Sequence, residues 1–219
     1  MPCLAGMRRR TAATVALVAG VGVLAGCGGS GSSETSDPQG STTNSTDAPA
    51  TYAGATANPP KPAPPLKLED SLGTPVNVDD YRGKAVLVTF LYDHCPDICP
   101  TIVSNLRAAQ NELGPQAKDM QIIAVSVDPK GDTPKTVKEF LKVHQMTGRM
   151  KYLIGSPAEL GKVWKDWNIR SRRDPKDPEL LEHSALIYGI SGSGEITTLY
   201  PSNFKPQQIV HDVPELADS

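Results

Sequence analysis

The run Asp93-His94-Cys95-Pro96-Asp97-Ile98-Cys99-Pro100 constrains this chain more than any other feature. Directly before it stands Ala85-Val86-Leu87-Val88-Thr89-Phe90-Leu91, an uncharged stretch with no polar alternation. Such a segment reads as a strand covered on both faces, as parallel strands tend to be. From Cys99 onward, Ile102, Val103, Leu106, Ala109 and Leu113 fall at helical spacing, and Gly114-Pro115 ends the pattern. The chain must therefore run strand, tight turn, helix, with two cysteines spaced C-x-x-x-C at the turn. If the helix begins near Cys95, the two thiols lie about 6 Å apart along its axis and on one face. That suits two thiolates on one metal ion and still allows a disulfide. A helix N-terminus also favours the thiolate, which is both nucleophile and ligand. Soft sulfur selects copper(I) or zinc, and an added imidazole makes copper(II) possible.

The rest of the folded part reads in the same way. Leu66-Lys67-Leu68 and Pro75-Val76-Asn77-Val78 suggest a small leading hairpin. Ile122 to Val127 is a second buried strand. Asp132-Thr133-Pro134 and Ser156-Pro157 are cap-and-proline signals for two helices, the second running to Trp167. Tyr152-Leu153-Ile154 is a short strand between them, and Ser171 to Glu179 is a polar loop. Ser184–Ile190 and Glu195–Tyr200 are strands joined by Ser191-Gly192-Ser193-Gly194, and Lys205-Pro206 opens a last helix. This order predicts an α/β fold: a thioredoxin-like sandwich with a mixed central sheet and an N-terminal β-hairpin extension.

The N-terminus speaks to compartment. Arg8-Arg9-Arg10 precede an apolar stretch too short and too rich in Ala and Gly for a membrane span, which ends in Leu24-Ala25-Gly26-Cys27. Residues 1–26 read as a lipoprotein signal peptide, with Cys27 the acylated new N-terminus. Residues 27–62 hold almost no large apolar side chains and are expected to be a disordered tether with a stiffer proline-rich end. Residues 63–219 would be the folded domain. The expected location is the outer face of the cytoplasmic membrane, held by the lipid. A formal charge of −2 argues against a nucleic-acid partner. Of the 4 cysteines, Cys3 is discarded with the signal and Cys27 carries lipid, which leaves Cys95 and Cys99. One pair is no disulfide framework, so its role is more chemical than architectural.

The best third ligand is His183, which immediately precedes the strand expected to flank the first helix. Together, Asp93 to Pro100, Ser126-Val127-Asp128-Pro129-Lys130-Gly131-Asp132-Thr133-Pro134 and Glu182-His183-Ser184 resemble the Sco/SenC copper-chaperone family, in the family's order. The resemblance covers roughly Leu66 to Leu216. It implies one copper ion, as Cu(I) or Cu(II), held by Cys95, Cys99 and His183. It also implies a role in assembling the binuclear CuA centre of cytochrome c oxidase, with subunit II as partner and an upstream copper donor or thiol reductant. Tyr92, and Glu182 where Asp is common, are minor departures. Thiol-disulfide oxidoreductases of this fold usually carry C-x-x-C and a cis-proline facing it. Here the spacing is C-x-x-x-C, and His183-Ser184 stand where that proline would be.

Other residues are weighed against plainer roles. His94 lines the mouth of the site. His144 and His211 are solvated or half-buried side chains, and Trp164 and Trp167 are core. Asp97 caps or solvates, and Asp128 organises its loop. Two functions compete: a metallochaperone that needs His183, and a thiol-disulfide reductase, with Cys95 and Cys99 as its redox pair, that does not. A peroxidase of this fold would want a Thr or Ser and an Arg around one cysteine, an arrangement not found here.

Overall fold

The computed structural model describes residues 52–177 and 180–219. The signal-like segment, Cys27 and the chain up to residue 51 lie outside the described residues. Among the described residues, no helix is long and apolar enough to cross a membrane.

The strands are β1 (Ala55–Pro62), β2 (Lys67–Asp70), β3 (Pro75–Asn77), β4 (Ala85–Leu91), β5 (Met120–Ser126), β6 (Met150–Ile154), β7 (Ser171–Arg173), β8 (Leu181–His183), β9 (Leu186–Ile190) and β10 (Glu195–Pro201). The helices are α1 (Ile98–Leu113), α2 (Pro134–Val143), α3 (Pro157–Asp166) and α4 (Pro206–Asp218). Eight strands form one mixed sheet in the order β1-β10-β9-β4-β5-β6-β2-β3, the thioredoxin-like arrangement expected. β4, β5 and β6 are parallel, and β9 runs antiparallel to β4. The C-terminal ends of β4 and β5 and the N-terminal end of β9 therefore meet at one edge of the sheet, where the chemistry-bearing residues stand.

Burial explains the uninterrupted apolar strands. Every residue of β4 is buried, because helices cover both faces of the sheet. Leu87 is paired with Gly189 on the face that carries α4, where a Cβ at Gly189 would lie 3.4 Å from Leu216. Phe90 and Tyr188 face the other way and stack against Trp167 at the end of α3, with ring centroids 5.9 and 5.3 Å from the indole. α2 and α3 each open with proline and a reciprocal capping box, Thr133 with Thr136 and Ser156 with Glu159.

Two stretches differ from expectation. Residues 55–62, assigned to the tether, form β1, which pairs antiparallel with β10. Pro59, Pro60 and Pro62 are tolerated because β1 is an edge strand, and its register shifts between Thr56 and Lys61. The chain is held even earlier: Ala53 N–H and Gly54 N–H donate to Oδ1 and Oδ2 of the fully buried Asp212, at 2.6 and 2.9 Å. Gly54 is needed there, since a Cβ would come within 2.4 Å of Thr198 Oγ1. The folded unit thus begins by Tyr52, itself buried, rather than at residue 63. The second difference is the polar loop after α3. It is a two-stranded antiparallel arm, β7–β8, with Ser171 opposite His183.

Candidate metal centre

β4 delivers the chain to the site, and Tyr92 to Asp97 make the turn into α1. Cys99 sits in the first turn of α1, fully buried, and Cys95 lies just before it, 8 % exposed. Both are free thiols. Cys99 N–H donates to Cys95 Sγ at 3.4 Å, as expected for a group at a helix N-terminus whose N–H has no intrahelical acceptor. A hydrogen bond from the Cys99 thiol, then the backbone N–H groups of Asp97 and Cys99, pull the Cys95 thiol down to about 5. The same thiol–thiol bond and deep burial push Cys99 strongly up. At neutral pH the pair is one thiolate and one thiol, with the proton on the inner sulfur.

His183 closes the group. At the end of β8, its Nε2 lies 3.9 Å from Cys99 Sγ, and its Nδ1 is 3.1 Å from the carbonyl of Ser184. Nδ1–H donating to that carbonyl leaves the Nε2 lone pair facing the thiols. Burial lowers the His183 pKa, which keeps the ring neutral and able to ligate. His183 is thus brought against Cys99 across 84 positions of chain, and Cys95 Sγ lies against the Cys99 N–H, although the three donor atoms do not all lie within 4.8 Å of one another. Two sulfurs and one imidazole nitrogen are donors of the kind a soft or borderline ion takes.

Tyr92 forms one wall. Its ring lies between those of His94 and His183, at 6.4 and 5.8 Å. Its hydroxyl accepts from Leu181 N–H at 3.4 Å and donates to Cys95, so it bonds both the thiol turn and the arm that carries His183. Burial lifts its own pKa to about 12, which keeps it a donor at neutral pH.

The remaining candidates settle as follows. His94 is exposed at the mouth, its Nδ1 against Asp93 Oδ1. Asp97 is exposed and makes no side-chain cap bond. Asp128 does organise its loop, accepting from Lys130 N–H at 3.2 Å and pairing with Arg173 at 2.6 Å, which fastens the loop to β7. Trp167 is core; Trp164 is half-buried and donates to Ser126 O at 3.0 Å. His144 stacks on Phe140 at 4.4 Å, and His211 pairs with Asp212 at 2.7 Å.

Asp132 is the residue sequence reasoning missed. It reads as a helix cap, but the cap is Thr133, and Asp132 turns inward. It accepts from Asp93 N–H at 2.9 Å and from the Tyr152 hydroxyl at 3.0 Å, and burial pushes its carboxyl up to about 7. Its signal in the sequence was its place in the Ser126–Pro134 block, next to Thr133-Pro134, where Thr133 alone suffices as cap.

A thioredoxin-like domain with a C-x-x-x-C turn and a histidine opposite defines a thiol–imidazole protein of the metal-handling kind. Residues 54–218 match the SCO1/SenC family, and the chain belongs to it. A SCO2-like protein of Rickettsia felis is 29 % identical over 151 residues, covering 66 % of this chain and 72 % of that one. The mitochondrial SCO2 homologue of Bos taurus is 31 % identical over 139 residues, which span 61 % of this chain and only 52 % of the bovine protein. Among solved structures, that of Bradyrhizobium japonicum ScoI with copper bound superposes with a TM-score of 0.63 at 31 % identity, covering 69 % of this chain and 97 % of that one.

Proposed function

We propose that this chain is a copper metallochaperone, in which Cys95, Cys99 and His183 hold one copper ion as cargo. The observation that carries the reading is the 3.9 Å approach of His183 Nε2 to Cys99 Sγ, on the same side as a Cys95 thiolate. Two sulfurs suffice for copper(I). The imidazole extends the site to copper(II), a harder ion that two thiolates alone would reduce or release. The copper-bound relative from Bradyrhizobium japonicum supports the choice of metal. The family points to assembly of the CuA centre, with cytochrome c oxidase subunit II receiving the ion. Leu24-Ala25-Gly26-Cys27 supports a lipid anchor that holds the domain at the outer face of the cytoplasmic membrane.

One observation favours a second activity. The outer sulfur, on a residue 8 % exposed, is the thiolate and the fully buried one keeps the proton, the division of labour that thiol–disulfide exchange requires. As a reductase, the chain would keep the oxidase's copper-ligand cysteines reduced.

Copper titration of the reduced protein and of His183→Ala separates the two. Loss of copper(II) affinity by at least about tenfold, with copper(I) binding retained, is the chaperone result. Equal losses for both ions would count against His183 as a ligand. Full oxidase assembly by His183→Ala, with none by Cys95→Ser, would make the reductase the working activity.

A further inference from the structure

Beside the thiol pair lies a group of donors that the proposed copper site does not use. Asp93, His94 and Asp132 each bring a potential ligand atom to within 4.8 Å of the others. Asp93 points its carboxylate inward, with only 4 % of the side chain exposed, and its Oδ2 is buried without a hydrogen-bond partner among the described residues. A buried carboxylate oxygen left without a donor is destabilising, so its place in the fold calls for a cation. Oδ1 of the same carboxylate meets His94 Nδ1, which leaves the lone pair on the other ring nitrogen, Nε2.

That nitrogen packs against Gly131: a Cβ there would come within 2.5 Å of His94 Nε2 and 2.6 Å of Asp128 Oδ2, so only glycine lets the His94 ring sit where it does, beside Asp128. Around it stand three carboxylates, Asp93, Asp128 and Asp132. Among the described residues Arg173 pairs with Asp128, and no lysine or arginine reaches Asp93 or Asp132.

We propose that Asp93, His94 and Asp132 form a second cation site, at the mouth of the thiol pair, for a borderline divalent ion such as copper(II) or zinc(II). An imidazole among carboxylates selects such ions over magnesium or calcium, and the absence of sulfur discriminates against copper(I). The site is therefore complementary to Cys95 and Cys99. An arriving copper(II) ion is held here, one residue from Cys95, before the thiolates take it; this role, unlike the site itself, rests on the copper reading.

The test uses the full chain carrying Cys95→Ser, Cys99→Ser and His183→Ala, which removes every donor of the first site. Copper(II) titration followed by EPR should give one bound ion with a single nitrogen ligand. Adding His94→Ala should weaken it by at least about tenfold and abolish the nitrogen coupling. Gly131→Ala keeps all three donors but pushes the His94 ring out of its place, and should weaken binding similarly; His94 is half exposed, so its removal leaves the core intact. No bound copper(II) in the triple variant, or binding indifferent to both His94→Ala and Gly131→Ala, overturns the proposal. If the triple variant binds while the parent's thiols hold no copper, this site stands and the chaperone reading falls.

Discussion

Asp212→Asn should destabilise the domain although the residue lies on α4, far along the chain from Cys95 and Cys99. The Asp212 carboxylate is fully buried and receives four groups: Ala53 N–H at 2.6 Å and His211 Nδ1 at 2.7 Å on Oδ1, Gly54 N–H at 2.9 Å and the Tyr200 hydroxyl at 2.7 Å on Oδ2. An amide presents one acceptor and one donor, so whichever way it turns, one backbone N–H faces an N–H. A buried donor left unsatisfied costs about 1–3 kcal/mol, and the second group at that position loses part of a charge-assisted bond, for a total of roughly 2–4 kcal/mol. With a urea slope of about 2 kcal/mol per molar, the unfolding midpoint should fall by roughly 1–2 M. Far-UV circular dichroism against urea reads this directly, with the exposed Asp218→Asn as the control expected to change nothing. Removal of residues 1–62 takes away the same two N–H donors. In that background Asp212→Asn should cost clearly less, because the substitutions share a partner. Additive losses, or a shift below about 0.3 M in the intact chain, would mean that residues 52–62 do not belong to the folded domain.

The thiol asymmetry predicts that iodoacetamide modifies Cys95 from about pH 6 upward and spares Cys99 in the native protein, as peptide mapping would show; modification of Cys99 first would contradict it. Tyr92→Phe removes a hydrogen bond to the Cys95 thiolate, so the pH profile of that alkylation should move upward, and an unchanged profile would deny Tyr92 its role. Asp132 titrates near 7 when folded against an ordinary value of 3.8, so the folded state holds the extra proton and stability is lost as pH rises between those values. Asp132→Asn, still an acceptor for Asp93 N–H, should gain on the parent by several kcal/mol from pH 4 to 7, measured in chelator to exclude metal binding; parallel stability curves would refute this.

The parts of the fold legible in the sequence are those specified locally. β4 and β5 announce themselves because both faces are covered, and α1, α2 and α3 because their apolar stripes, caps and prolines are read within a few residues. β1 was not legible. Its residues are mostly exposed and proline-rich, the composition of a tether, and its strand character comes entirely from residues 195–199 of β10 on the other side. The β7–β8 arm is hidden for a related reason: two three-residue strands whose side chains are, apart from Leu181, polar and at least partly exposed carry no period. At the site, the sulfurs and His183 were legible because their chemistry is rare. Asp93 and Asp132 were not, since a carboxylate before a turn or a helix has an ordinary explanation, and only burial removes it.

The arm nevertheless decides what the site can do. Cys95 and Cys99 are set by β4 and α1, the most buried part of the molecule, whereas His183 stands on a short ribbon outside the main sheet. Among the described residues, and besides His183 itself, polar contacts that fasten the ribbon near the site are Leu181 N–H to the Tyr92 hydroxyl, Arg173 to Asp128, and Ser171 Oγ to the Val127 carbonyl at 3.2 Å. Two of these contacts are single hydrogen bonds and the third is a half-exposed ion pair, each worth about 1 kcal/mol or less net. On the proposed copper reading, a thiol pair fixed rigidly and an imidazole fixed weakly would form a site whose harder-ion affinity is adjustable while its soft-ion affinity is not. Withdrawal of the arm would leave two sulfurs, a set suited to passing copper(I) to another pair of thiolates by exchange. Return of the arm would restore the imidazole and with it the hold on copper(II).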